Sequence, residues 1–121
     1  MTQSQDTKPY DLEVRTFEFA RDVRRFIKRL VKTMCNQENG RQLICSSGSV
    51  GANYIEANEA LGKKDFLMRV KICRKEAKES NYWLRRIDVS PNGLLEREQD
   101  ALTQEAAELT NIFGAIVRKS Q

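Results

Sequence analysis

Apolar residues return at three- and four-residue intervals along nearly the whole chain, and almost nothing interrupts them. Only 2 prolines and 6 glycines occur in 121 residues. Period and scarcity of breakers together dictate helices, because strands need strict alternation and loops need clusters of Gly, Pro or Asn. No stretch alternates. The longest purely apolar runs are two or three residues, far short of the ~20 that a membrane span requires.

Turn signals divide the chain. Residues 36–40 include an Asn-Gly pair, Ser90-Pro91-Asn92-Gly93 is a strong breaker, and Gly62 is the one weak point between them. The predicted helical segments are residues 11–35, 41–61, 63–87 and 94–119, of matched length and joined tightly. Such segments pack as antiparallel neighbours. The expected fold is all-α, an up-down-up-down antiparallel four-helix bundle forming one domain over residues 11–121. Residues 1–10 are polar and lack an apolar signal-peptide core. They are read as a disordered leader on a cytoplasmic protein.

Each segment writes its faces clearly. In the first, Phe19, Val23, Phe26, Ile27, Leu30, Val31 and Met34 share one side. Arg21, Arg24, Arg25, Lys28, Arg29 and Lys32 take the other. The third sets Phe66, Val70, Cys73, Ala77 and Leu84 against Lys64, Lys71, Arg74, Lys75, Lys78 and Arg85. The fourth carries a heptad seam of Leu95, Leu102, Leu109 and Ile116, interleaved with Ala106 and Phe113.

The second segment departs from that pattern. Leu43, Ser47, Val50, Tyr54, Ala57 and Leu61 form the expected core stripe, yet Ile44, Gly48, Gly51 and Ile55 make another, also apolar or small. Glycine inside a helix costs ~1 kcal/mol relative to alanine, so the pair calls for a close helix contact, within the bundle or from another subunit. Met68, Ile72 and Trp83 lie on the flank of the third segment, away from its main core face. Those seven flank residues are the candidate interface, and a homo-oligomer is expected.

Catalytic chemistry finds little support. Histidine is absent, so an isolated serine or thiol has no evident base. The three cysteines, Cys35, Cys45 and Cys73, form no Cys-x-x-Cys pair and read as buried reduced thiols. Gly48-Ser49-Val50-Gly51 lacks the lysine of a phosphate-binding loop. Glu56 with Glu59, and Glu76 with Glu79, lack the Glu-x-x-His partners of di-metal bundles. The expectation is no enzyme, no metal and no cofactor.

Net charge is +4, but its distribution is uneven. Residues 63–87 hold nine basic against three acidic side chains, and residues 11–35 hold seven against four. The second and fourth segments are mildly anionic. Two readings follow. The cationic helices could pair with anionic neighbours and otherwise face water. Alternatively, Arg21, Arg24, Arg25, Lys28 and Lys32, together with Lys71, Arg74, Lys75, Lys78 and Arg85, form surfaces for the phosphates of RNA or DNA. No motif for base-specific readout is present.

The run Ser46-Ser47-Gly48-Ser49-Val50-Gly51-Ala52-Asn53-Tyr54-Ile55-Glu56-Ala57, followed by Lys71-Ile72-Cys73-Arg74-Lys75-Glu76-Ala77-Lys78-Glu79-Ser80 and Tyr82-Trp83-Leu84, resembles a family of small bacterial four-helix bundle proteins. It is also called the 23S rRNA intervening-sequence protein family. The resemblance extends from about Tyr10 to Lys119. It implies an up-down-up-down bundle that assembles into a ring, typically a pentamer. Some relatives are encoded within large-subunit rRNA genes. Others resemble the accessory protein of diversity-generating retroelements, which implies a reverse transcriptase or another nucleic-acid enzyme as partner. Gly62 stands where the family often has a serine before Lys-Lys-Asp, and glycine caps a helix less well. The expected function is a basic, oligomeric nucleic-acid adaptor; the alternative is a protein–protein scaffold whose cations only solubilise.

Overall fold

A computed structural model describes residues 11–121; the leader expected over residues 1–10 lies outside the described residues. Four helices account for the fold: α1 (Leu12–Lys28), α2 (Met34–Asn58), α3 (Lys63–Arg86) and α4 (Gly93–Ser120). Among the described residues there is no strand, and no helix is long and apolar enough to cross a membrane.

Each helix packs on its neighbours in a closed cycle, while the backbones of the diagonal pairs α1 with α3 and α2 with α4 do not approach; across the second diagonal Tyr54 meets Phe113 with ring centroids 5.8 Å apart. Cross-helix contacts give the directions. Asn39 bonds to Arg86, Ser46 to Ser80, and Arg69 to Asn53, so α2 and α3 run antiparallel. Asn81 bonds Thr103 and Gln99 bonds Leu84, so α3 and α4 do too. Arg15 reaches Glu105 while Arg29, just past α1, reaches Glu98, which sets α1 against α4 in the same sense.

The core follows the apolar stripes. Phe19, Val23, Phe26, Leu43, Val50, Val70, Ala77, Leu84, Leu109 and Phe113 are all buried. Burying one such large side chain stabilises the fold by roughly 1.5–3 kcal/mol. Where α2 meets α3 the seam is lined by small polar groups: Ser46 and Ser80 share a hydrogen bond of 2.9 Å and are buried.

Helices α3 and α4 start and stop close to where the sequence places them. Asn92 caps α4 by accepting from Leu95 N, and α3 begins at Lys63 although Gly62 offers no side-chain cap. The first two helices differ from expectation. Helix α1 ends at Lys28 instead of Cys35, and α2 begins at Met34 instead of Arg41. The turn is residues 29–33, which contain neither Gly nor Pro. Thr33 holds extended backbone there and its side chain accepts from Asn36 N at 3.1 Å. Asn36, read as a turn residue, is instead a buried member of α2. Its amide nitrogen donates to Val31 O and Asp88 O, and its oxygen accepts from Asp88 N, each at 3.0 Å. It thereby ties both connections at one pole of the bundle, satisfying backbone groups that would otherwise be left unpaired.

Consequences follow for individual residues. Helix α1 has 17 residues against 28 in α4, so the helices are not matched. Val31 and Met34, expected in the core, are 72% and 79% exposed because they lie in and just after the turn. Leu61 is fully exposed, since α2 ends before it. Only Cys73 of the three cysteines is buried; Cys35, in the first turn of the displaced α2, and Cys45, near its middle, are exposed.

Candidate functional site

The charged residues fall into two seams with opposite outcomes. Along α1 and α4, Arg15 donates to Glu105 at 2.7 and 2.8 Å and to Glu108 at 2.8 Å, and Arg29 pairs with Glu98. The Arg15 guanidinium is held above its ordinary pKa chiefly by the hydrogen bond to Glu105. Glu108 is held below the usual carboxylate range, first by a hydrogen bond from Gln104 and then by Arg15. Glu98, Glu105 and Glu108 recur at helical spacing and all face α1.

No such pairing occurs between α3 and α4. Three α4 groups that contact α3, Gln99, Thr103 and Gly114, are uncharged. Lys71, Arg74 and Lys78 accordingly have no ion pair or side-chain hydrogen bond among the described residues. Lys75 lies within 3.9 Å of Glu76 and 3.8 Å of Glu79 on its own helix, and Arg85 donates to Asn81 at 2.9 Å. Arg85 therefore belongs to the Tyr82 end of α3, apart from the other four.

The α1 cations form a separate group. Arg21 pairs with Asp22, whereas Arg24, Arg25 and Lys28 are without ion partners among the described residues. Lys32 lies in the turn, not on the helix face. Since α1 and α3 are diagonal, the two predicted cationic faces are not brought together. Arg118 joins the α3 group instead, next to Gly114. Its place in the last turn of α4 is visible in the sequence, but only the antiparallel pairing brings it beside Arg74.

The candidate interface residues also divide. Gly51 answers a contact within the bundle: a Cβ there would lie 2.9 Å from Thr16 Oγ1 and 3.3 Å from Thr16 Cβ. Gly48 has nothing within 4 Å. Gly48, Ala52 and Ile55 border a groove with Val14 and Phe17 of α1, the latter 69% exposed. Ile44 lines a separate groove between the two helices with Ile27, Val31 and Cys45. Val14 and Phe17 were not singled out from the sequence, although both fall off the phase of Leu12, Thr16 and Phe19. Met68 is half exposed on α3, while Ile72 and Trp83 are half-buried. Trp83 packs on the core and meets Tyr82 edge-on at 4.9 Å.

Burial pushes the Cys73 thiol up to about 12, which keeps it protonated and inert. Burial also raises Glu76 above the usual carboxylate range. Among the described residues no group of three potential metal ligands is found.

Comparison with known proteins gives three results. A family profile described as "23S rRNA-intervening sequence protein" matches residues 10–115. A crystal structure from Bacteroides thetaiotaomicron VPI-5482, described as a protein with unknown function from the S23 ribosomal protein family, superposes with a TM-score of 0.72 at 24% identity. That match covers 88% of this chain and 97% of the other, and at this identity it speaks to the fold. No curated protein matches the chain.

Proposed function

The chain belongs to the 23S rRNA-intervening sequence protein family, and from that premise we propose that it is a non-enzymatic, self-assembling adaptor that holds RNA or DNA through its cationic surface. One observation carries the reading. Three of the five acidic residues of α4, Glu98, Glu105 and Glu108, are engaged by Arg15 and Arg29 on the α1 side, and Lys71, Arg74 and Lys78 have no ion pair among the described residues. An unneutralised row of cations attracts a polyanion and releases its counterions on contact.

Self-assembly rests on a different surface. From Gln42 to Ile55, α2 carries no charge, and five large apolar residues are exposed along its border with α1: Val14, Phe17, Val31, Ile44 and Ile55. A face of that kind is suited to covering by another subunit. The resemblance adds a ring of five and a nucleic-acid enzyme, such as a reverse transcriptase, as an associated partner.

The test combines mass and salt dependence. Light scattering at micromolar protein is expected to give a closed oligomer; a stable monomer would reject the assembly. Binding to RNA or DNA is expected to be sequence-tolerant and to weaken with salt at a log–log slope of roughly −0.9 per phosphate on duplex and −0.7 on single strands. Replacing Arg74, Lys75 and Lys78 by Gln is expected to flatten that slope without changing mass or helix content. Absence of salt-sensitive binding in the unmutated protein would leave the scaffold reading in its place.

A further inference from the structure

We propose that Gly114 floors a phosphodiester-binding cleft walled by Arg74 of α3 and Arg118 of α4, so that a nucleic-acid strand is gripped between two helices and not on α3 alone. The proposal rests on the nucleic-acid reading above and names its contact point.

The argument begins with the glycine. Gly114 lies inside α4, where glycine weakens a helix. At Gly51 the compensation is a close backbone approach, with Thr16 in the way of any side chain. Gly114 is different. A Cβ there would meet only Arg118 Nη1 at 3.4 Å and Arg74 Cδ at 3.7 Å. The missing side chain makes room for two cationic side chains, not for a packed neighbour.

Charge supplies the second observation. Two arginines from different helices converge over one point, and neither has a carboxylate partner among the described residues. The nearest acids along α4, Glu105 and Glu108, are held by Arg15 on the opposite side. Like charges set side by side repel until an anion enters between them. A guanidinium presents a planar fork of donors that fits phosphate oxygens in pairs. Lys71 and Lys78 lie one turn before and one turn after Arg74, which extends the same line along α3. A line of this kind follows a backbone without reading bases.

Fluorescence anisotropy of a labelled oligouridylate, titrated with the full-length chain at several KCl concentrations, tests the cleft. Arg118→Gln is expected to lower affinity about fivefold at low salt and to make the log–log slope shallower by ~0.7. Lys119→Gln is the control, because Lys119 lies by Ala57 and Lys63 at the α2–α3 connection; its expected change is below about twofold. Gly114→Leu should reproduce the Arg118→Gln loss by wedging the two stems apart, with helix content checked by circular dichroism. If the unmutated chain binds but Arg118→Gln behaves like Lys119→Gln, the cleft is wrong and nucleic-acid binding stands. If the unmutated chain shows no salt-sensitive binding, both fall together. A changed oligomer mass in Arg118→Gln with unchanged binding would make the pair a subunit contact and overturn the cleft.

Discussion

Helix α4 faces a cationic helix on each side and treats them in opposite ways. On the α1 side three of its four glutamates meet arginines at ion-pair distance. On the α3 side it offers Gln99, Thr103 and Gly114. Both seams join a basic segment to an acidic one, so net charge per helix does not distinguish them. The difference lies in Glu98, Glu105 and Glu108, which share the face of α4 that meets α1. One seam is electrostatically closed and holds the short α1 in place; the other remains open to an external anion.

The largest expected effect comes from prising α1 off its other neighbour. Gly51→Leu forces a side chain into Thr16, whose buried hydroxyl donates to Leu12 O at 2.6 Å. Overpacking of this kind destabilises by about 1–3 kcal/mol, readable in a urea midpoint. Gly48→Leu, with open space above it, is expected to leave the fold intact and to alter only the oligomer mass. Equal losses of stability in the two variants would show that α1 is not set by that contact.

Next in size is the closed seam itself. Arg15→Ala leaves the part-buried Glu105 without its partner, for an expected loss of about 1 kcal/mol after allowing for solvent screening. Arg74→Ala on the open seam should stay within about 0.5 kcal/mol. Should the two changes prove alike in denaturant, the contrast between the seams would be structural appearance only.

Acid offers a gentler probe of the same seam. Glu108 has a depressed pKa in the folded state. Its contribution is therefore present above the ordinary glutamate value and is lost as pH falls through the lower folded value. Amide exchange in α1 should accelerate over that range before exchange in α3 does. Simultaneous acceleration would count against a special role for the carboxylate.

The smallest effect on stability, within about 0.5 kcal/mol, is expected from Asn111→Glu, an exposed position one turn before Gly114. It adds to the open seam the carboxylate that the closed seam already has. Nucleic-acid affinity should drop and its salt slope should become shallower. An unaffected slope would place the bound strand elsewhere on the surface.

Much of this was legible beforehand, and the places where reading failed share a cause. Helices α3 and α4 could be bounded from Gly62, from Ser90-Pro91-Asn92-Gly93 and from the heptad seam, because those signals are local. The end of α1 could not. Residues 29–33 carry no breaker; the chain restarts as α2 at the cap from Thr33, held by bonds from Asn36 to a loop more than fifty residues away. The Asn39-Gly40 pair misled because its turn propensity yields to tertiary packing: Gly40 is buried in α2 near Ile27. In the candidate site, the α3 cations were visible as a stripe. Their lack of partners and the convergence of Arg118 on Arg74 were not, since both depend on how α4 is rotated against α3.

By itself, then, the order of residues determined an all-α bundle, its core stripes and which helices carry positive charge. Periodicity and composition act within a single helix, where spacing along the chain and direction in space are tied together. Which cations are neutralised, which glycine admits a neighbouring backbone and which shelters two arginines were decided only by tertiary structure. Those properties belong to the rotation and offset of one helix against the next, and packing of the whole core sets them.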